Sequence, residues 1–326
     1  LKTEDIYVRV FAPSMAEEAE MPVLHSVAGL EKADMMRPGY AIEYDCIDPL
    51  QLKPTLEFKN IQGFFSAGQS NGTSGYEEAA AQGLIAGINA AMKLQGKKPL
   101  VLKRSQAYIG VLIDDLVTKG TSEPYRIMTS RAEYRLLLRQ DNADMRLTPI
   151  GRQLGLVQDD RWERFQAKKQ AIDEALELLK NTIINPSQDM LAKLSEAGIA
   201  EIKNSQSLYD LLRRPDVSYD AIQPVFALPI LANEEKKQVE ITITYDGYIQ
   251  KQLEQVARME KLESKSIPEE LDYDNVPNLR DEAREKLKDI RPISLGQAGR
   301  ISGVSPADIS VLMIYLEQQR RQKGES

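Results

Sequence analysis

Cysteine and histidine are almost absent from this sequence, which has one of each among 326 residues. A single cysteine, Cys46, excludes an internal disulfide framework and a cysteine-rich zinc site, and is typical of a reducing compartment. No histidine or fixed base stands near Cys46 in the sequence, so we interpret it as a passive residue rather than a nucleophile. We assign no role to the one histidine, His25, and we predict no metal site.

Long apolar runs are also missing. No run reaches the roughly 18 residues that a membrane-spanning helix needs, and no basic-then-apolar signal opens the chain. We therefore expect a cytoplasmic protein. At 326 residues, the chain has room for two or three domains and a sizeable core.

Positive charge is in the minority, with 42 Lys and Arg against 49 Asp and Glu. This balance argues against a protein that coats nucleic acid without specificity. The distribution is uneven, because residues 97–155 hold 11 positive and 6 negative side chains, whereas residues 1–96 hold 7 and 13 and residues 156–326 hold 24 and 30. Only the middle segment is basic.

The dinucleotide fingerprint G-x-G-x-x-G is absent, but another glycine-rich turn is present. Four glycines at 63–75 follow the apolar run 61–67, which predicts a buried strand, and a helical pattern covers residues 77–92. Gly83 and Gly87 belong to a face of small residues that predicts close packing of this helix against a sheet. The free N–H groups of the helix start suit an anionic or electron-rich ligand, although a merely tight strand-to-helix turn fits the local chemistry equally well.

Several uncommon strings of residues, in order along the chain, favour the ligand-binding interpretation of this turn over the merely tight turn. They are MRPGYAIEYD at 36–45, AGQSNGTSGYEEAAAQG at 67–83, RSQAY at 104–108, EPYR at 123–126, TSRAEYR at 129–135, and GQA with RISGV at 296–304. Together they closely resemble the MnmG/GidA family, the FAD subunit of the tRNA uridine-5-carboxymethylaminomethyl modification enzyme. The resemblance extends over nearly the whole chain.

The resemblance implies an enzyme in which FAD, reduced by NADH, works with a one-carbon unit from methylenetetrahydrofolate. It implies addition of the aminomethyl group at C5 of the tRNA wobble uridine, a GTPase partner and a homodimer. Carried onto this sequence, it makes Gln69 the flavin contact and places further residues near the flavin ring: Asn71, Gly72, Thr73, Gly75 and Glu77. It assigns no catalytic proton-transfer residue and no folate site.

The resemblance also makes the chain the C-terminal part of a longer protein. The expected fold is an α+β fragment, mainly α, in which a partial Rossmann-type FAD-binding remnant precedes an all-helical C-terminal region. We predict a flavin-domain remnant over residues 1–98, a helical subdomain with the basic segment over 99–205, and a C-terminal helical domain over 206–326. We expect the complete protein to be the active enzyme and the isolated fragment to be inactive, and FAD binding by the fragment alone stays open.

The basic segment contains a predicted helix, residues 130–139, with arginines at successive i+4 positions. Burying guanidinium groups requires anions, so this stripe faces either internal carboxylates, such as Glu133, Asp141 and Asp144, or external phosphates. For the second alternative the predicted tRNA contacts are Arg104, Arg131, Arg135, Arg139 and Arg146.

Helical patterns dominate the rest of the chain, with an amphipathic helix at 162–180 and one long helix predicted at 233–264. In the tail, Ser305 and Asp308 predict a capping box around Pro306. The outline mimics a helix-turn-helix, but the first turn lacks the Arg, Asn or Gln of a DNA-reading helix. We expect packing or partner binding instead, with residues 301–321 as the candidate GTPase dock.

Two alternatives to the leading interpretation stay open. The first is the related folate- and FAD-dependent tRNA uridine methyltransferase, which the long helical C-terminal region resembles less well. The second is a non-catalytic module that docks tRNA or the GTPase, which is what the isolated fragment would amount to without its flavin.

Overall fold

The computed structural model describes residues 15–39 and 43–322. The chain divides into two compact units, residues 1–46 and residues 47–326. In the first unit, helix α1 (Glu17–His25) begins after Ala16 with three acidic residues in its first turn, which complement the positive helix N-terminus. The Glu-rich run at 14–20 predicts a loop or a short helix. The apolar alternation at 1–11 and the run 39–44 each predict a strand. Residues 1–11 lie outside the described residues, as do residues 40–42 of the second run.

Helices supply nearly all of the regular secondary structure in the described part of the second unit. In chain order they are α2 (Tyr76–Leu94), α3 (Tyr108–Lys119), α4 (Ala143–Gln153), α5 (Asp159–Asn181), α6 (Gln188–Glu196), α7 (Leu208–Leu212), α8 (Tyr219–Phe226), α9 (Asn233–Thr244), α10 (Asp246–Glu263), α11 (Asp281–Ile290), α12 (Leu295–Ala298) and α13 (Pro306–Gln322). Two short strands, β1 (Ile183–Ile184) and β2 (Gln206–Ser207), pair antiparallel. The mainly helical fold class is thereby confirmed.

Three predicted helices are present where the sequence placed them. α2 includes the predicted 77–92, α5 includes 162–180, and α13 begins as expected at the first residue after Ser305. There the Ser305 backbone N–H donates to Asp308 at 2.8 Å and the Asp308 N–H donates to the Ser305 hydroxyl at 3.3 Å. These reciprocal bonds confirm the capping box, which satisfies donors that every helix start leaves unpaired.

The predicted helix at 130–139 is wrong. A 3₁₀ turn covers only Thr129–Arg131, and no α-helix follows until α4. The cause is a tertiary contact, because the buried guanidinium of Arg104 donates hydrogen bonds to the Arg131 carbonyl at 3.1 Å and to the Glu133 carboxylate at 2.8 Å. The helical propensity of this segment is outweighed because the buried charge of Arg104 needs that carbonyl and that carboxylate as hydrogen-bond acceptors.

Two other predictions need correction. The run 61–67 forms no strand: Phe65 makes one isolated bridge to Glu57, and Ile61 and Phe64 are both 52% exposed. A strand needs a neighbour along its length, and the described residues supply only that bridge. The predicted helix at 233–264 is helical but broken at Tyr245, between α9 and α10, where Asp246 and Gly247 follow, two residues of low helix propensity.

The second unit contains three main apolar cores. One unites buried residues from Ile172 to Ile243, so residues on both sides of position 205 share it. A second extends from Ile267 to Leu316. The third packs Leu52, Leu56 and Phe58 against α2 and α3, which fixes the positions of the glycine-rich turn and the basic segment.

Candidate functional site

The glycine-rich turn has the left-handed geometry that glycine allows. Residues Gly68–Asn71 form a 3₁₀ turn, and φ is +85° at Gly68 and +81° at Gly72, conformations that other residues adopt only under strain. Asn71 is fully buried and donates to the Ser66 carbonyl at 3.1 Å and to Gln82 of α2 at 2.8 Å. The turn is therefore held in one shape by its own side chains.

Thr73 contributes to the same network. It is 3% exposed, donates to the Gly68 carbonyl at 3.1 Å and accepts from Gln82 at 3.0 Å. The side chains of Asn71 and Thr73 thus point inward, and a ligand on this turn would meet their backbone rather than their amide and hydroxyl groups. The polar side chains of Gln69 and Glu77 are exposed instead.

The glycines at 72 and 75 are required by the protein's own packing. A Cβ at Gly72 would lie 2.6 Å from Thr121, and one at Gly75 would lie 1.8 Å from the Glu78 carboxylate. Protein atoms therefore occupy the space that a Cβ at either position would take. The opposite holds along α2, where a Cβ added at Gly83 or Gly87 would meet no atom within 4 Å among the described residues outside the local backbone of the helix. The predicted sheet contact is therefore not observed there.

The turn is joined directly to the EPYR string at 123–126, within the basic segment. Thr73 and Tyr125 form a parallel bridge, in which Tyr125 N–H donates to the Gly72 carbonyl at 2.8 Å and Ser74 N–H donates to the Tyr125 carbonyl at 3.3 Å. The buried carboxylate of Glu78, in the first turn of α2, accepts from the Ile127 N–H at 2.8 Å and lies 3.3 Å from Arg126. Glycine-rich turn and basic segment are thus one continuous structure.

Sequence reasoning missed three of the residues that make this junction: Glu78, Asp115 and Tyr125. Tyr125 is 3% exposed and donates its hydroxyl to Asp115 at 2.9 Å, so burial and that carboxylate raise the pKa of the tyrosine. Burial opposes the charge of Asp115, yet Lys119 and Arg104 bring its pKa below the usual range. The i,i+4 spacing of Asp115 and Lys119 on α3 was the available signal.

The five predicted tRNA-contact arginines separate into two groups. Arg104 is 8% exposed and binds Glu133, Asp114 and Asp115 at 2.8, 3.1 and 2.7 Å. Burial opposes its charge, but the three carboxylates together raise its pKa. Every guanidinium nitrogen of Arg104 has a protein partner, so it offers nothing to a phosphate.

Arg139 and Arg146 are also engaged within the protein. Arg139 lies 3.2 Å from Asp141, and Arg146 donates to Asn142 and to the Arg139 carbonyl, each at 3.0 Å. Burial is the main cause of a lowered Arg146 pKa. Of the three carboxylates named for the stripe, Asp141 pairs with one of its arginines, Arg139, whereas Glu133 pairs with Arg104 and Asp144 pairs with Lys168.

Arg131 and Arg135 face outward. Arg131 lies over the Tyr125 ring, 4.3 Å from its centroid, and donates to the Arg126 carbonyl at 3.0 Å. Arg135 is exposed and forms no ion pair with a carboxylate among the described residues. These two side chains and the half-exposed Arg126 are the arginines that residues 123–139 present to solvent.

Other candidate groups add no chemistry. Cys46 and His25 are exposed, and His25 contacts the Ala33 carbonyl at 3.0 Å. No cluster of three or more metal-binding side chains occurs within residues 15–39 and 43–322. None of the helices in those ranges is long and apolar enough to cross a membrane.

Comparison with known families covers most of the chain. Residues 1–98 match the family "Glucose inhibited division protein A". Residues 159–253 match the C-terminal helical domain of the tRNA modifying enzyme MnmG/GidA, and residues 255–326 match its C-terminal helical bundle. The chain belongs to the MnmG/GidA family.

Individual relatives agree with this assignment. The chain is 58% identical over 320 residues to the tRNA uridine 5-carboxymethylaminomethyl modification enzyme MnmG of Caldicellulosiruptor saccharolyticus, and 59% identical over 323 residues to that of Clostridium novyi. Each match covers 98–99% of this chain and 51% of the relative. The crystal structure of Aquifex aeolicus GidA, form II, superimposes with a TM-score of 0.76 at 43% identity over 92% of this chain and 48% of that one. This MnmG/GidA chain therefore spans about half the length of the relatives it matches.

Proposed function

We propose that this chain is part of a flavin-dependent enzyme that modifies the wobble uridine of tRNA at C5. The observation that carries the proposal is the backbone pairing of Thr73 with Tyr125. It joins the glycine-rich turn to the segment that presents Arg131 and Arg135. A redox cofactor on the turn and a polyanion on the segment would then meet at one place, as base modification requires. The names of the relatives, which are tRNA modification enzymes, support the substrate class.

The fit of FAD to the turn is best at the flavin ring. When bound, FAD supplies electron-transfer chemistry that amino-acid side chains lack. Gln69 is exposed on the turn, and the N-terminal N–H groups of α2 favour an electron-rich ring edge. Glu77 and Glu78 in the first turn of α2 would repel a pyrophosphate, so we assign the ring and not the phosphates to this turn.

The remaining elements of the proposed activity rest on the family resemblance. They are the reduction of FAD by NADH, the one-carbon unit from methylenetetrahydrofolate, the GTPase partner, the homodimer and the cytoplasmic location. Residues 301–321, most of which belong to α13, stay the candidate GTPase dock.

The direct test is FAD binding by the purified protein. Bound flavin gives a yellow protein with visible absorbance, and Gln69→Ala should weaken FAD binding about tenfold because it removes one well-placed hydrogen bond. Ser74→Ala is the matched control, since Ser74 is also exposed on the turn, and it should leave FAD affinity within about twofold. Gly72→Val is a poor probe, since it would displace Thr121 and deform the turn whether or not flavin binds.

Two results would count against the proposal. A colourless protein that takes up no added FAD, but still binds tRNA, would favour the docking-module alternative. Equal loss of FAD in Gln69→Ala and Ser74→Ala would remove Gln69 from the flavin contact.

A further inference from the structure

A cavity of about 380 Å³ lies away from the glycine-rich turn, between the segment before α3 and the helices α10 and α12. None of the turn residues at 63–75 lines it. Its walls are mostly apolar, and they include Leu102, Ile113, Val256, Met259 and Ile293. This volume, with apolar walls and a few charged groups, is in the range of small-molecule sites.

Charged side chains close one end of the cavity. Arg300, 14% exposed, donates to both oxygens of Asp114 at 2.7 Å and to Glu263. Burial opposes the charge of Arg300, but Asp114 and Glu263 raise its pKa. Arg104 shares Asp114 from the other side at 3.1 Å. All six guanidinium nitrogens of the two arginines are donating to protein oxygens.

An anionic ligand would therefore find no free donor on Arg104, and Asp114 and Glu263 already take three of the five N–H groups of Arg300. Carboxylates, in contrast, are in excess on the lining, with Asp114, Glu133, Glu260 and Glu263 against Lys103, Arg104 and Arg300. Glu133 and Glu260 are 47% and 45% exposed, and each carboxylate can accept about four hydrogen bonds. Open acceptor positions and residual negative charge thus face the cavity.

Tyr134 and Met259 favour an aromatic body for the ligand. Both line the cavity, and Tyr134 is 8% exposed, with its pKa raised by burial and by the nearby Glu133. A thioether packs well against aromatic rings, and a tyrosine face attracts cations. We propose that this cavity is a binding site for a small aromatic cation, with the ring between α3 and α10 and the cationic end toward Glu133 and Glu260.

The test uses two probes with the same ring and opposite charge, 1-naphthylmethylammonium and 1-naphthoate, titrated into the 326-residue chain by calorimetry. We expect saturable binding of the ammonium compound at one site, at least about tenfold tighter than the carboxylate. Equal affinity of the two probes, or no saturable binding of the ammonium compound, would overturn the proposal.

Variants locate the site. Met259→Trp should fill the cavity. Ile293→Trp should narrow it with less risk to folding, because Ile293 is 57% exposed on the cavity wall. Each variant should bind the ammonium probe about tenfold more weakly. Leu253→Trp is the matched control, because Leu253 is 44% exposed on α10 outside the lining. Unchanged affinity in Ile293→Trp and in any folded Met259→Trp would place the probe elsewhere and defeat the assignment.

Charge variants test the orientation of the ligand. Lys103 and Glu260 pair with each other at 2.6 Å and are both about half exposed, so either can be neutralised without touching the buried network. Glu260→Gln should weaken the ammonium probe about threefold, and Lys103→Gln should strengthen it by a similar factor. The reverse pattern would contradict a cationic ligand.

Discussion

The arginines of two adjoining regions are used in opposite ways. Around the cavity, Arg104 and Arg300 are 8% and 14% exposed and every donor nitrogen meets an oxygen of the protein. On the segment after the glycine-rich turn, Arg131 and Arg135 are exposed, and one is stacked on a tyrosine. Arginine thus holds helices together in the first region and stays available for a partner in the second. The exposed fraction of the side chain distinguishes the two roles.

The largest expected effect comes from breaking the inward group. Arg104→Ala leaves Asp114, Asp115 and Glu133 with less compensation, two of them largely buried, and removal of one partner from a buried ion pair costs about 3–5 kcal/mol. Chemical denaturation should show that loss, while tRNA affinity of the folded variant stays unchanged. If Arg104→Ala were as stable as the wild type, the buried arginines would not differ from the exposed ones in their contribution to the fold, and the distinction between the two regions would fail.

Arg280 is an intermediate case, half exposed yet paired with the buried Asp308 at 2.6 Å. The Arg280 hydrogen bond, followed by those from Ser305, holds the pKa of Asp308 well below its usual range. Because the folded pKa is depressed, this stabilisation is present above the unfolded pKa and is lost as the pH falls through the folded value.

We therefore expect Asp308→Asn to reduce the free energy of unfolding at pH 7 by about 2 kcal/mol. The difference from wild type should shrink as the pH falls below about 4. Denaturant melts between pH 7 and pH 2 measure this, with Asp281→Asn as an exposed control on α11. A difference that does not depend on pH would show that the capping geometry, and not the charge, stabilises α13.

Arg131 combines a small structural role with the proposed contact to tRNA phosphates. Its stacking on Tyr125 at an exposed site is worth about 0.5–1 kcal/mol. Arg131→Ala should lower stability by that amount and also reduce the salt dependence of tRNA binding by about one unit of slope. Arg131→Lys keeps the charge and should restore most of the slope. A change in stability without a change in slope would assign Arg131 to the scaffold.

The smallest effect on the fold is expected at Arg135. Because Arg135 is exposed and has no carboxylate partner among the described residues, Arg135→Ala should change stability by less than about 0.5 kcal/mol. Its loss should weaken tRNA binding uniformly across sequences and reduce the salt slope by about one unit. A lowered melting temperature with intact tRNA binding would defeat the phosphate interpretation.

Local pattern was enough to predict α2, α5 and the capping box at Ser305, because each depends on residues within one or two turns of each other. The left-handed conformation of Gly72 follows from the same kind of local constraint. The family strings, from AGQSNGTSGYEEAAAQG onward, identified the family without any structure. All of these depend on sequence order alone.

Tertiary structure decided the roles of the arginines. Helical spacing predicts Arg131, Arg135 and Arg139 on one stripe of a helix. Arg104, 27 residues before Arg131, instead donates to the Arg131 carbonyl, which such a helix would use for its own backbone hydrogen bonds, and to the Glu133 carboxylate. Arg300 reaches Asp114 across 186 residues, and no window of sequence contains both. A buried charge selects its partners by proximity in space. Local pattern therefore predicted α2, α5 and the start of α13, whereas packing decided the conformation of residues 130–139 and which charges are left for another molecule.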